Sequence, residues 1–392
     1  MKKAFFKEKI KDKNKIINII FSVCVFALLC VSIYGYGIDA AFSLDGVTNS
    51  SEIEHNTFND YWAGQAQNEV EQKYNNEFGG RTFFIRLRNQ TMYSVFNKSS
   101  NKYVLMGKDK CLFEHAYVER ELAITRAPNE EIDKNIQMLE QLNDILKQQN
   151  KELYIFITPS KAHYCYDKIP DEYFAMPKVD EQNDYDYFIN RIAKTNLSYF
   201  DSRQYIDEYG STLEAPSFYK TGIHWSYSHA YLCTKGFLDM ANEKSKFDLG
   251  NFSFKEHKTD NPLHPDADLY LTLNLLNKPR GQYYVPEMVI ERQGDKPKVF
   301  MRGGSFMGSS INHLLRYGIL DGTVYFENTN MFQNPCTSAQ TYQPITNYDQ
   351  YVDLKDDLAK SDIVMLEINE AAIHKMTFGF AEYLVTHKEL FE

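Results

Sequence analysis

Five short apolar runs, Leu153–Thr158, Leu197–Phe200, Lys298–Arg302, Thr323–Phe326 and Ile363–Ile368, constrain this chain more than any other feature. Each is separated from the next by a helical pattern or a longer connection. Continuous apolar strands of this kind are buried on both faces. Strands that alternate with helices need crossover connections, which build a largely parallel sheet. Ahead of the first run, Ile132, Ile136, Leu139, Leu142 and Leu146 recur three or four apart, so Asn129–Gln149 is expected to be an amphipathic helix that covers the sheet. The fold class is therefore α/β, with functional residues expected at the carboxyl ends of strands. A hydrophobic fraction of 43% supports a packed core and excludes wholesale disorder.

The N-terminus carries a different signal. Ile16–Ile38 is one nearly uncharged run bounded by Lys15 and Asp39, long enough to cross a hydrocarbon layer of about 30 Å with some tilt. Seven lysines precede it and no A-x-A pattern closes it. The expectation is an uncleaved signal-anchor at 16–38, with a basic tail, 1–15, left in the cytoplasm and everything after Asp39 outside. The formal net charge is −10, and because the lysines cluster at the start, the body is more acidic still. An acidic body argues against a nucleic-acid partner. Cys24 and Cys30 fall in the anchor. Cys111, Cys165, Cys233 and Cys336 show no C-x-x-C spacing, so one or two disulfides and free buried thiols both fit.

Residues 39–128 read as a linker followed by helices and a hairpin that pack on the main domain. A helical pattern runs from Thr57 to about Asn75, the chain turns at Gly79-Gly80, and a helical period resumes through Phe84, Leu87, Met92 and Phe96. Val104–Met106 and Cys111–Phe113 flank a Gly107-Lys108-Asp109 turn, a short hairpin. The main domain is expected over 129–392, with Pro-, Gly- and Asp-punctuated loops at 251–296 inserted to frame a cleft.

Two segments can carry chemistry. Met301-Arg302-Gly303-Gly304-Ser305-Phe306 follows a predicted strand. The glycines allow a sharp turn, Ser305 is presented at the sheet edge, and the helix start beyond it offers N–H groups to an oxyanion. Tyr219–Ser226 contains His224, a candidate general base, and Trp225, a candidate sugar-stacking surface. Lys161, at the end of the first run, either points into the cleft or lies on the surface. Glu367, inside a buried strand, needs a partner and reads as structural. Asp266 and Asp268 read as solvated loop residues. The remaining histidines share no metal-ligand spacing, and no cofactor motif is read.

The order of these features resembles the alginate O-acetyltransferase (AlgX/AlgJ-like) family of SGNH-hydrolase-like proteins. The features are F-G-G-R-x-x-F at Phe78–Phe84, V-L-M-G-K-D-x-x-L-F-E at Val104–Glu114, T-P-S-K at Thr158–Lys161, His224-Trp225, and G-x-S-F at Gly303–Phe306. The similarity covers roughly residues 75–373. It implies a mostly parallel, SGNH-hydrolase-like (flavodoxin-like) domain that moves acetyl groups to hydroxyls of an exported polysaccharide, supplied by a multipass membrane acyltransferase. It also implies Ser305 as nucleophile and His224 as base. Where the family has an aspartate two residues before the histidine, this chain has Gly222, and Gly304 stands where the family has one before the serine. Glycine cannot orient an imidazole. Another acceptor such as Asp201 or Glu367 could replace the acid, a Ser-His dyad could suffice, or catalysis could be lost. Two further functions stay open: a degenerate polysaccharide-binding or scaffold subunit, and a carbohydrate esterase.

Overall fold

The computed structural model describes residues 15–27, 29–30, 43–45, 57–77, 79–327, 330–333, 341–344 and 347–391. By backbone contacts the chain divides into two units, Met1–Asn101 with Leu271–Lys278, and Lys102–Tyr270 with Pro279–Glu392. Residues 102–128, grouped with the linker in the sequence reading, thus belong to the larger unit.

The smaller unit is helical. Phe58–Trp62 starts on a capping box in which Thr57 and Asp60 bond each other's backbone N–H. Gln65–Glu77 follows, then Gly80 in the left-handed region (φ 82°) and the helix Arg81–Ser94. Asn89 and Arg86 donate to the carbonyls of Leu273 (2.9 Å) and Leu275 (2.6 Å), which ties the 271–278 segment to this helix. Residues 15–27 and 29–30 are helical. The rest of the proposed anchor, 28 and 31–38, lies outside the described residues, as does most of the basic tail. Among the described residues no helix is long and apolar enough to cross a membrane.

In the larger unit, β1 (Val104–Met106) and β2 (Leu112–Glu114) form the expected antiparallel hairpin. The strands that follow are β3 (Glu152–Thr158), β4 (Tyr199–Asp201), β5 (Asn251–Thr259), β6 (Tyr283–Arg292), β7 (Lys298–Gly303), β8 (Asp321–Glu327), β9 (Asn330–Gln333), β10 (Thr341–Pro344) and β11 (Ile363–Asn369). Seven of them build one sheet in the order β10-β9-β8-β7-β11-β3-β4. The five apolar runs are its parallel part, and β9 and β10 extend it antiparallel. This is an SGNH-hydrolase-like α/β fold with a mostly parallel central sheet. The last strand, β11, inserts at the centre, with Leu366 opposite Ile155 of β3 and Arg302 of β7.

Period-two alternation sorts the strand side chains into two cores. Leu153, Ile155, Ile157, Phe300, Val364, Leu366 and Ile368 face the helices Asn129–Gln148, Asp184–Ile192 and Phe380–Thr386. Tyr154, Phe156, Val299, Met301, Ile363 and Met365 face the helices Tyr227–Lys244 and Ile311–Arg316. Glu367 is on the second face, in step with Gly303. Each large apolar side chain buried this way contributes about 1.5–3 kcal/mol.

The expectation of loops over 251–296 fails. β5 and β6 pair antiparallel along nearly their full length. Of this pair only Phe252, Tyr283, Tyr284, Pro286 and Met288 are buried, so its charged outer positions hid the strand pattern. Residues 260–282 between the two strands hold a turn, His264–Asp266, and the short helix Asp268–Thr272.

Candidate active site

Ser305 stands just beyond the carboxyl end of β7, the first residue of a 3₁₀ turn, Ser305–Ser309. The approach to it is fixed by Glu367. One carboxylate oxygen accepts from Gly304 N–H (2.6 Å), and the other accepts from the Thr158 hydroxyl at the end of β3. Glu367 is therefore the clamp between three strand ends. A side chain at 303 has no room, since a Cβ there would lie 2.6 Å from Glu367 Cβ and 2.8 Å from Oε2. Gly303 is what lets the chain pass this carboxylate.

His224 lies three residues ahead of the helix Tyr227–Lys244, on a loop with little regular structure. Phe218 and Trp225 form an isolated bridge, and Ser226 N–H donates to Ser217 O (2.9 Å). Lys161 does not lie on the surface: it is fully buried, and its ammonium donates to Tyr219 O (2.8 Å) and Gly222 O (2.7 Å). From the other side, Thr221 donates its hydroxyl to Asp266 O (2.6 Å) and accepts from Tyr270 N–H at its carbonyl (2.9 Å).

These loops bring three side chains into line. His224 Nε2 is 2.7 Å from Ser305 Oγ, and His224 Nδ1 is 2.5 Å from Asp268 Oδ2. The other Asp268 oxygen accepts from the N–H groups of Ile223 (2.8 Å) and Leu269 (2.7 Å), so the carboxylate is fixed before it meets the ring. His224 and Asp268 side chains are 17% and 13% exposed, sheltered but reachable. A hydroxyl, an imidazole and a carboxylate in this sequence of contacts have the geometry that a nucleophile–base–orienter relay requires.

The family model described as SGNH hydrolase-like domain, acetyltransferase AlgX, matches residues 104–306, more than half of the chain. The chain belongs to that family. The match begins at β1 and ends beside Ser305, and so includes His224, Asp268 and Ser305. Among solved structures, the O-acetyltransferase domain of Pseudomonas putida AlgJ aligns at 14% identity over 71% of this chain and 99% of its own, with a TM-score of 0.47. Bacillus cereus PatB1 aligns at 12% identity over 70% and 97%, TM-score 0.45. Pseudomonas aeruginosa AlgX aligns at 14% identity over 72% and 68%, TM-score 0.43. No curated protein matches by sequence.

Within this AlgX-family site several sequence expectations change. Trp225 is fully buried, donates its indole N–H to Ser309 Oγ (2.8 Å) and packs on Phe156 and Phe306. It cannot stack on a sugar; it braces the Ser305 turn. Asp266 and Asp268 are not solvated. Asp266 is buried and pushed up to about 7, mainly by that burial. Of the two acids considered as substitutes, Asp201 caps the helix Ser202–Tyr209 and accepts from Tyr185 OH (2.8 Å), and Glu367 serves Gly304. The carboxylate against the His224 ring is that of Asp268, which the sequence suggested to be a solvated loop residue. The one available signal was its place directly before the apolar Leu269-Tyr270-Leu271.

Gly222 now has a local explanation. A Cβ there would sit 2.2 Å from Pro265 O, because the loop that delivers Asp268 lies against it. The carboxylate arrives from that loop rather than from position 222.

A cavity of about 390 Å³ opens beside Ser305, lined among others by Tyr117, Arg120, Asn369, His374, Lys375 and Phe378. Burial pulls His374 down to about 4, so its ring is neutral at neutral pH, and its Nδ1 is buried with no hydrogen-bond partner. Thr377 and Phe378 on the wall adopt left-handed backbone (φ 51° and 54°), a conformation that costs about 1–3 kcal/mol each outside glycine. Among the described residues no cluster of His, Cys, Asp and Glu is arranged to hold a metal ion.

Proposed function

We propose that this chain is a membrane-anchored polysaccharide O-acetyltransferase that works through an acetyl-Ser305 intermediate. The observation that carries this reading is the unbroken contact from Ser305 Oγ through the His224 ring to Asp268. Ser305 Oγ bonds to the acyl carbon of the donor while His224 Nε2 takes its proton. The tetrahedral adduct collapses, and the leaving group departs with that proton. A sugar hydroxyl then attacks the acetyl-serine, His224 takes the hydroxyl proton, and Ser305 Oγ leaves and recovers it. Asp268 holds the ring in the tautomer that presents Nε2 to the serine and stabilises the imidazolium in both halves.

The cavity beside Ser305 supports a sugar acceptor. Its wall mixes aromatic rings with the neutral ring of His374 and charges of both signs, a set that can bond several hydroxyls. Asp268 also favours chemistry over a degenerate scaffold, since it supplies the acid that Gly222 lacks. The lysine-flanked apolar run at 16–38 supports a single-pass anchor with the catalytic unit outside the cytoplasm. Family resemblance supports a multipass membrane acyltransferase as the acetyl source.

The test uses the full chain. With p-nitrophenyl acetate as donor, Ser305→Ala should lower turnover by about 10⁶-fold, and the wild type should carry one acetyl group on the peptide containing Ser305. Adding a glycan acceptor should give an acetylated sugar, whereas an esterase would give acetate alone. Membranes washed with alkaline carbonate should retain the protein. Equal turnover in the Ser305→Ala variant would refute the assignment, and release by carbonate would refute the anchor.

A further inference from the structure

Behind the catalytic loops lies a group that the transfer chemistry does not use. Cys111 ends the turn of the β1–β2 hairpin, where its carbonyl accepts from Gly107 N–H (2.7 Å). Cys165 ends the short helix Lys161–Tyr164. Both sit in one small core with Phe113, Ala162, Ile169 and Tyr173, and each thiol acts on the other's acidity. Cys111 is buried and Cys165 half-buried, so the pair has one edge open to solvent. The hairpin is pressed onto the segment after Cys165. A Cβ at Gly107 would meet Lys168 O at 2.4 Å, and Lys168 and Lys108 form ion pairs with Asp109 (2.8 Å) and Asp171 (2.5 Å) between the two segments.

The third member is Lys161. Its ammonium is fully buried, lies 5.4 Å from the Phe113 ring and donates to the carbonyls of Tyr219 and Gly222, with the Cys111 thiol near enough to act on its charge. Burial pulls Lys161 below the usual lysine range, and Cys111 leads the groups that oppose this, ahead of Cys165 and Asp268. In return, Cys165 and Lys161 hold the Cys111 thiol below the ordinary thiol range, while the partner Cys165 is pushed up. A buried ammonium held by two neutral carbonyls needs a negative neighbour, and the Cys111 sulfur can supply it. The hairpin also touches the base loop directly, since Leu112 N–H donates to Lys220 O (2.8 Å).

We propose that Cys111 and Cys165 form a redox site, a dithiol that converts to a disulfide and, once oxidised, loosens the grip of Lys161 on the loop that carries His224. An external disulfide RSSR takes the pair through a mixed disulfide to the Cys111–Cys165 bond. The two electrons leave on two RSH, one proton coming from the Cys165 thiol and the other from solvent, because Cys111 reacts as the thiolate. A disulfide sulfur carries no negative charge, so Lys161 loses its leading counter-charge. Its hold on the Tyr219 and Gly222 carbonyls weakens, and His224, two residues beyond Gly222, shifts against Ser305. A misplacement of about 1 Å can cost as much as about 10²-fold in rate. The site goes beyond the acetyl-transfer reading and is read out without it.

Purified full-length protein treated with oxidised glutathione, or with dithiothreitol, is alkylated and mapped by mass spectrometry. Oxidation should produce a Cys111–Cys165 linked peptide, faster hydrogen exchange over 219–226, and a drop in acetyl-ester turnover of about tenfold or more, all reversed by dithiothreitol and absent in Cys165→Ser. Lys161→Met should show the fast exchange in both redox states. The proposal is overturned if both cysteines of the oxidant-treated folded protein remain free. It is equally overturned if the linked peptide forms while exchange over 219–226 stays unchanged, and this holds even if the protein turns over no ester at all.

Discussion

Ser305 and His224 are held in two different ways. Ser305 follows a regular strand, and its turn is pinned by Glu367 on the neighbouring strand, so its position is set by sheet register and one clamp. His224 and Asp268 sit on loops that meet only through long-range contacts: Lys161 to Tyr219 and Gly222, Thr221 to Asp266, and Asp268 to Ile223. The first arrangement depends on the fold of the sheet. The second depends on a few buried polar groups, each of which has to be satisfied for the base to face the serine. Damage to the loops should therefore be felt in chemistry, and damage to the turn in stability.

The sharpest way to break this contrast is Asp268→Asn. The amide oxygen can still accept from Ile223 and Leu269, but it carries no charge for the imidazolium. Turnover should fall about 10⁴-fold with little change in Tm, measured on the same preparation. Adding Gly222→Asp to that variant should restore nothing, because the 2.2 Å approach of Pro265 O leaves no room for a side chain at 222. Rescue by that second change would mean the acid can come from either loop, and the contrast would dissolve.

Glu367→Ala tests the other side. It leaves Gly304 N–H and the Thr158 hydroxyl proton without their acceptor at a buried strand end, which should cost about 2–4 kcal/mol of stability in denaturant unfolding. Turnover should fall less than in Asp268→Asn. A larger loss of rate than of stability would place Glu367 with the chemistry.

The smallest effect is expected from Asp266→Asn. Asp266 is held at about 7, well above its value near 4 in an unfolded chain, so folding favours the protonated acid. Its contribution is complete below about pH 4 and is lost as pH rises toward 7. Wild-type stability should decline across that window while the variant keeps it, giving the variant a Tm higher by about 2–6 °C at pH 8 and no advantage at pH 4. A constant difference at all pH values would show that burial of this carboxyl does not tune the base loop.

Much of the scaffold could be read directly. The five apolar runs became the parallel strands, and the hairpin at 104–114 formed because Gly107 and the residues after it allow its turn. Ser305 was singled out from its place after a predicted strand and His224 as a candidate base beside Trp225, and the family resemblance paired them. Trp225 was misread because an aromatic next to a histidine carries no sign of whether it is buried. Asp268 was misread because its loop lies inside a polar hairpin, β5–β6, whose strands bury few apolar side chains and so show weak periodicity.

What the sequence determined by itself was the layered α/β body, because apolar side chains seek burial and their spacing along the chain announces which faces must be covered. Which carboxylate would stand behind His224, and that Lys161 would be enclosed rather than solvated, depended on loops distant in sequence meeting at one strand edge. Such encounters are decided by shape and by the need to pair buried polar groups. Neither leaves a repeating pattern along the chain.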